Sequence, residues 1–489
     1  MNKKTIKSLV RRYIPVFITI ALAVVSSVQC FAQSSKKSSS DSEQYLQVIE
    51  ELYQYIQNNY VEEVDPQKLY EGALRGMLNS LDDPYSEYLD QNDWRSITDT
   101  TSGSFGGVGL SISKPNESTP EKPAYVDVIA PIDDSPGAKA GIQPGDKIIK
   151  IGNVDTTTIT MEEVLGLLRG PKGTTVKITI LRGKSMVFDV TLTRAIIENP
   201  TVKYGMIGST GYIRLSSFSG TTTARFQEAL DSFQSQGYKS LIIDLRNNGG
   251  GLLQTAVNIA DKFIDDGTIV ATKSRISYEN SVFYARKKNT VVKNIPVIVL
   301  INEGSASASE ILAGALKDAK VAYLVGANTY GKGSVQIPSQ LLNNDGFKIT
   351  VARYYTPSDV NIDKTGIPPD REVLYPEFTE EDDAVYLKLV EDDVISKYVE
   401  NHPNMTEADI ASYAETLHKT YKLELRFLRK MIRNEVYRTK PAMLYDLDYD
   451  IQLNAALEIL EKEDVNKLIK NSKTLKQLEN AKLLKEKSR

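Results

Sequence analysis

Residues 302–312 read NEGSASASEIL: three serines, Ser305, Ser307 and Ser309, alternate with small residues after a glycine, and an apolar stretch follows at once. Hydroxyls at that spacing allow two chemistries. A serine before a helix can cap it by accepting a backbone N–H, and Ser309, directly before Glu310, fits that role. A serine on a strand-to-helix turn can also act as a nucleophile, because backbone N–H groups left free at the helix start can hold an oxyanion. A nucleophile needs a base. His402 and His418 are the only histidines, both near the C-terminus in a Lys/Glu-rich stretch, which argues against a histidine triad or a His-rich metal site. A lysine serves instead if burial brings its pKa down from ~10.4 and leaves the amine neutral. Lys332 in NTYGKGSVQIP is the candidate. Two glycines flank it and let other backbone approach. GSVQI reads as a strand, whose alternation places Lys332, Ser334 and Gln336 on one face. Gln336 could then hydrogen-bond the lysine amine and aim it. The plain alternative is a solvated lysine in a surface turn.

Other motifs carry less. GANTYGKGS, residues 326–334, has the outline of a phosphate-binding loop. Gly333 stands where a hydroxyl must follow the lysine to hold magnesium, and the next segment is strand-like. FGGVGL lacks the helix that a dinucleotide loop needs after it. The sole cysteine, Cys30, lies in an N-terminal segment that reads as removable, so thiol catalysis, disulfides and cysteine metal sites are excluded from the mature chain. That segment, residues 1–32, has the form of a signal peptide: basic Lys3, Lys4, Lys7, Arg11 and Arg12, an uncharged apolar core YIPVFITIALAVVSSV, and a small residue at Ala32. An uncleaved membrane anchor is the alternative.

The elements that must position these residues follow from pattern. A chain of 489 residues is long enough for about three domains, and 41% hydrophobic with 25% charged residues is globular composition. A net charge of -4 gives no footprint for nucleic acid. Residues 33–42 are polar and expected to be disordered. Residues 43–103 are expected to be helical: EQYLQVIEELYQYIQNN has helical spacing, and Asp65 with Pro66 opens a second helix. Residues 104–195 hold short β-branched runs between Gly and Pro turns, plus one helix, TMEEVLGLLRG, whose Thr160 and Glu163 have capping-box spacing. From 196 to 376 the pattern is α/β. SLIIDLR and IPVIVLIN read as strands buried on both faces, each followed by a Gly- or Ser-rich turn and a helical segment, as around a largely parallel sheet. Residues 377–489 are charged and helical in period.

Taken together, GSASASEILAGALKD, GANTYGKGSVQ, YIRLSSFS and DLRNNGGGLL resemble the C-terminal processing, or tail-specific, proteases over most of the mature chain to about residue 375. The resemblance implies a crotonase-like β/α core with a Ser-Lys-Gln site and no metal or cofactor, an inserted mostly-β PDZ domain, and helical N- and C-terminal regions. The family nucleophile falls on Ser307, the base on Lys332, 25 positions later, and the third member on Gln336. The implied oxyanion donors are the N–H groups of Ala308 and of a glycine in NNGGG, with Gly250 favoured and Gly251 second. Gly249 stands where many relatives carry proline, and Asp359 where relatives usually carry glycine.

The resemblance also makes Gly106, Gly107, Val108, Gly109 and Leu110 the carboxylate-binding loop of the PDZ domain, whose successive N–H groups form an anion nest. The strand after the loop would pair with an extended peptide. Val108, Leu110, Val164 and Leu168 would line an apolar pocket, and Arg169 matches a position that couples peptide docking to the active site in some relatives. The expectation is an exported, periplasmic or secreted serine endopeptidase acting on protein substrates with free apolar C-termini. The terminal helices are candidates for a homodimer contact. A catalytically silent PDZ scaffold is the alternative from another class.

Overall fold

The computed structural model describes residues 39–487 apart from 116–117, 120–122, 377 and 439–442; the expected signal peptide, and all of the expected disordered linker but residues 39–42, lie outside the described residues. The described chain divides into two compact units at Asp82/Asp83. The first holds two helices, α1 (Ser39–Asn59) and α2 (Pro66–Asn79). As the sequence requires, α2 is opened by Asp65, whose side chain accepts the Gln67 N–H, with Pro66 at the first position. Tyr45, Leu46, Ile49, Leu52 and Tyr55 of α1 are exposed.

The second unit begins with a strap, β1 (Glu87–Leu89), followed by α3 (Gln91–Ser102). The sequence pattern reads this stretch as helical only. Three residues are too few to show a period, yet β1 pairs antiparallel with a strand more than 250 residues later. Next come β2 (Ser104–Gly107), β3 (Leu110–Ser113), β4 (Val126–Pro131), the single turn α4 (Pro136–Lys139), β5 (Lys147–Ile151), β6 (Val154–Asp155), α5 (Met161–Leu168), β7 (Thr175–Arg182), β8 (Met186–Thr193) and β9 (Ala195–Glu198). β3-β4-β5-β7-β8 form a sheet with β6 on β5, while β2 and β9 pair with each other and close the module at its base. The module therefore runs to Glu198, a little past the expected end. Its core is Val126, Val128, Ile148, Ile178, Ile180 and the helix residues Val164 and Leu168. The capping box of Thr160 and Glu163 is formed.

The α/β body follows: β10 (Val202–Ile207), β11 (Thr210–Leu215), α6 (Thr222–Ser235), β12 (Ser240–Asp244), α7 (Leu253–Ala260), β13 (Thr268–Ser274), β14 (Ser281–Tyr284), β15 (Val297–Ile301), α8 (Ala308–Asp318), β16 (Tyr323–Gly326), β17 (Ser334–Gln340), β18 (Gly346–Tyr355) and β19 (Arg371–Glu372). The central sheet runs β10-β11-β12-β15-β16-β19, parallel except for the β10–β11 hairpin. A second, antiparallel sheet is ordered β1-β18-β13-β14, with β17 also on β18.

The C-terminal stretch is α9 (Glu380–Glu391), α10 (Val394–Asn401), α11 (Glu407–Tyr421), α12 (Leu425–Val436), α13 (Ile451–Lys462), α14 (Val465–Asn471) and α15 (Leu475–Lys487). It is not one region. α9 to α12 bury a core of their own, including Leu389, Ile410, Leu428 and Ile432. α13 and α14 instead cover one face of the central sheet, where Leu453, Ala456 and Ile459 meet Ile242, Ile298 and Leu300. The other face is covered by α6, α7 and α8, with Leu241 and Ile243 pointing that way among Phe226, Phe233 and Leu312. Strands wrapped on both sides explain why β12 and β15 read as unbroken apolar runs. Arg246, 6% exposed, ties this cover to the sheet: its guanidinium bonds Asp244 at the end of β12 and Asp450, the cap of α13, both at 2.6 Å.

Candidate active site

Two turns meet where β12 and β15 end. Asn302 Oδ1 accepts the Asn247 N–H at 2.8 Å, Asn302 Nδ2 donates to Asn247 Oδ1 at 2.9 Å, and the Ala306 N–H donates to the Asn248 carbonyl at 3.0 Å. The three serines separate cleanly on this frame. Ser305 is fully buried, donates to the Leu245 carbonyl at 2.8 Å and accepts the Asn302 N–H. Ser309, also fully buried, donates to the Asn248 carbonyl at 2.8 Å. It sits inside the first turn of α8, so the expected cap role is not its own. Ser307 occupies the N-cap position with φ +56° and ψ −114°, outside the extended conformation of an ordinary cap. Ser307 lines a cleft of about 550 Å³ together with Gly249, Gly250, Gly251, Lys332, Gln336 and the apolar Leu252, Leu253 and Ile311.

A positive φ at a residue with a Cβ needs a compensating hold. Glu310 supplies it. This carboxylate is completely buried on α8 and accepts the Ser307 N–H (2.9 Å), the Thr329 hydroxyl (2.6 Å), the Gly331 N–H (2.7 Å) and the Lys332 N–H (2.9 Å). It thus clamps the backbone of the serine and of the lysine to one side chain. Burial pushes the Glu310 carboxyl above its ordinary range, and its four donors pull it back. Tyr354 adds a further hold, donating its hydroxyl to the Lys332 carbonyl.

Lys332 is half-buried, as its glycine flanks allow. A Cβ on Gly331 would meet the Gly366 N at 2.9 Å, and one on Gly333 would meet the Asp363 N at 2.7 Å. Burial, helped by the neighbouring Lys348 ammonium, holds the Lys332 amine below the usual lysine range, against the pull of Asp83, Glu310 and Glu87. Its Nζ lies 4.6 Å from the Tyr85 ring centroid. Among the described residues no hydrogen bond joins Lys332 to Ser307 or to Gln336. The Gln336 amide nitrogen donates instead to Ser334 Oγ (2.9 Å) and Thr350 Oγ1 (3.1 Å), which departs from the expected bond to the lysine. A register shift between Val335 and Gln336 breaks the simple alternation on which that expectation rested.

The glycine turn also differs in detail. Gly250, at φ +103°, packs so closely that a Cβ there would lie 2.8 Å from Ser307 Cβ and 2.9 Å from the Ala308 N. Its N–H, however, donates to Asn248 Oδ1 at 2.9 Å, which removes the favoured oxyanion donor from the cleft. The N–H groups of Gly251 and Ala308 have no such partner among the described residues. Asp359 adopts φ +60°, a conformation that glycine takes without strain and aspartate tolerates, which accounts for the residue usual in relatives. Sequence reasoning missed Glu310, Asn248, Asn302 and Tyr85. Only Glu310 had a local signal, its position three residues after Ser307.

In the β module, Gly106 fits its carbonyl and Cα against Gly170: its carbonyl accepts the Gly170 N–H at 3.0 Å, and a Cβ would lie 2.1 Å from the Gly170 carbonyl. The N–H groups of Val108 and Gly109 donate no backbone hydrogen bond among the described residues. Val108, Val164 and Leu168 are 0–4% exposed and belong to the module's core rather than to an open pocket; Leu110 is half-buried. Arg169 caps the end of α5, reaches Asp99 of α3 at 3.3 Å and lies over the Phe105 ring at 4.7 Å.

Comparison with known proteins identifies the family of the chain. Residues 209–373 match the model of peptidase family S41, residues 128–182 a PDZ domain, and residues 17–93 the N-terminal domain of the activating protease CtpB. The carboxy-terminal-processing protease of Bartonella bacilliformis is 38% identical over 367 residues, 74% of this chain and 82% of the relative. The carboxy-terminal processing protease CtpA of Bacillus subtilis is 32% identical over 460 residues, 92% of this chain and 90% of the relative. A solved photosystem II D1 C-terminal processing protease is 30% identical and aligns over 66% of this chain and 92% of its own, with a TM-score of 0.38. The chain therefore belongs to the carboxy-terminal processing proteases, PDZ-bearing serine peptidases of family S41.

Proposed function

We propose that Ser307 is the nucleophile and Lys332 the general base of this peptidase. One observation carries the reading: of three alternating serines, two are buried in backbone hydrogen bonds and the third lines the cleft that also holds a half-buried lysine. Neutral Lys332 takes the Ser307 proton, and Oγ attacks a substrate carbonyl. The N–H groups of Ala308 and Gly251 receive the oxyanion. The lysine ammonium then protonates the leaving amine, and water releases the acyl-enzyme. Gln336 lies in the same cleft, where its amide oxygen can accept from the lysine ammonium once Lys332 turns toward Ser307. Covalent labelling by a serine-directed fluorophosphonate, read by intact mass, tests the assignment. One label per chain, lost in Ser307→Ala and kept in Ser305→Ala, is expected; a label that survives Ser307→Ala would overturn it.

The substrate reading is a protein tail. β3 is an edge strand of its sheet, so an extended peptide can pair beside it, and the spare N–H groups at Val108 and Gly109 suit a terminal carboxylate. An apolar last residue would rest against Leu110. Export to the periplasm or outside the cell is inferred from the basic-then-apolar start of the chain. Among the described residues no helix is long and apolar enough to cross a membrane. A homodimer through the terminal helices is supported by the exposed Tyr45, Leu46, Ile49, Leu52 and Tyr55 on α1. Sedimentation of the full chain against Leu52→Glu tests it, with a dimer expected only for the parent.

A further inference from the structure

We propose that Tyr85 is a positioning residue for Lys332: its ring is the wall on which the protonated lysine rests, and it sets how readily that group loses its proton and turns to Ser307. This rests on the reading of Lys332 as the base. The contact is direct, with Nζ at 4.6 Å from the ring centroid, within the range in which a cation is held by an aromatic face. The attraction acts on the ammonium and not on the neutral amine. The ring therefore retains the charged lysine away from Ser307 and releases the form that can accept a proton.

The placement of Tyr85 is built by the strap around it. Asp83 accepts the Tyr85 N–H at 3.2 Å and the Ser86 hydroxyl at 2.5 Å, closing a tight turn. Ser86 Oγ accepts the Thr350 N–H at 3.0 Å, and Glu87 pairs with Lys348 in the β1–β18 register. The next residue inward, Tyr88, is 3% exposed and donates to Asp345 at 2.6 Å. Tyr85 is thus held from both sides. The same strap reaches the third site residue, since Thr350, gripped by Ser86, accepts the Gln336 amide through Oγ1. One short segment thus touches Lys332 through Tyr85 and Gln336 through Thr350.

The charges around the pair come from four directions. Lys348 of β18 repels the ammonium, while Asp83 and Glu87 of the strap and Glu310 of α8 attract it. Tyr330, Tyr354 and Asp363 complete the surroundings of the two side chains. The Tyr330 hydroxyl, then burial, push the Tyr85 phenol up to about 12, so the ring stays neutral while the lysine titrates.

The test compares Tyr85→Phe and Tyr85→Leu in the full chain. Leucine keeps water out and removes the ring. The acidic limb of kcat/KM should then fall by about half a unit to one unit of pH, with phenylalanine holding it at the parent value. The Lys332 amine, titrated by NMR after isotopic methylation in a Ser307→Ala background, should move in the same way. A tyrosine that only supports the fold would lower the rate without moving the limb, and phenylalanine would not rescue a shift. Should Tyr85→Leu not fold, Tyr85→Met replaces it, and a ring-current upfield shift of the Lys332 Cε protons in the parent, kept by Tyr85→Phe, reads the contact directly. An unmoved limb with leucine, an equal move with phenylalanine, or no ring-current shift overturns the proposal. Lys332→Ala separates the two claims: retained cleavage would refute the base while the NMR readouts still judge the ring.

Discussion

The corner at Ser307 and the loop Gly106–Leu110 are both glycine-rich turns that present backbone N–H groups, yet they are anchored through different groups. The corner is over-determined. Asn247, Asn248 and Asn302 lace two turns together, and one buried carboxylate, Glu310, holds the serine and the lysine by their backbones. The loop is held by its carbonyls, with the Gly106, Val108 and Gly109 carbonyls accepting from Gly170, Gly137, Ile132 and Ser135, while the Val108 and Gly109 N–H groups and the edge of β3 are left unspent. Bond-making chemistry needs reacting atoms fixed within a fraction of an ångström, whereas reading varied tails needs a surface able to adapt. The contrast predicts that substitutions at the corner act on kcat and those at the loop on KM.

The largest effect should come from Ser307→Ala, a loss on the order of 10⁶-fold in peptide cleavage with the melting temperature unchanged. Its neighbours should behave inversely. Ser305→Ala removes two buried hydrogen bonds and Ser309→Ala one, and each should cost about 1–2 kcal/mol of stability, with cleavage kept in the folded fraction. If urea melts show no cost at Ser305 and Ser309, the division of labour among the three serines fails.

Lys332→Arg should follow, with about 10⁴-fold less activity, because guanidinium does not deprotonate in the working range. The sign of the pH dependence comes from the lowered lysine pKa. With Lys332 as the proposed base, active when neutral, cleavage should rise as pH passes upward through that depressed value and be lost below it. The rising limb of kcat/KM should lie below the ~10.4 of a free lysine. Glu310→Gln comes third. It puts an amide donor where four donors already converge, and about a 10²- to 10³-fold loss in kcat with a stability loss of about 1–3 kcal/mol is expected from kinetics and urea melts. A kcat equal to the parent's would show that the clamp is not needed to hold the corner.

The same contrast explains what the sequence could disclose. Asp65 with Pro66, the Thr160–Glu163 box and the runs of β12 and β15 are local signals, and each is found where the pattern puts it. Ser307, Lys332 and the glycines share a cleft because each lies on a turn whose motif is continuous in the chain. What holds them is not continuous. Tyr85 meets Lys332 across just over half the chain, Ser86 meets Thr350 across 264 positions, and Arg246 meets Asp450 across 204. No period or cap marks such pairs beforehand. The Gly250 donor and the Gln336 bond differ from expectation for a local reason: an Asx turn and a register shift, each a one-residue detail, redirect the groups.

The smallest expected effect is at the loop, and it sharpens the comparison most. The N–H groups near Val108 and Gly109 can bind a terminal carboxylate and gain much less from an amide. One peptide presented with a free C-terminus and again as its amide should therefore differ by roughly 10-fold in KM, the worth of about one charge-assisted hydrogen bond, with kcat nearly unchanged. Replacing an apolar last residue by Asp or Lys should raise KM in the same direction, since Leu110 and the half-buried Ile112 offer no polar partner there. Gly109→Ala should mimic the amide. Its φ of +70° and the Ser135 side chain, 2.2 Å from where the Cβ would sit, force the turn open and move the N–H groups. Steady-state assays of these three comparisons decide the point. Equal cleavage of acid and amide would mean that the module does not read tails, even with Ser307 proven catalytic. A change confined to kcat would mean that the loop reports to the corner rather than simply holding the substrate beside it.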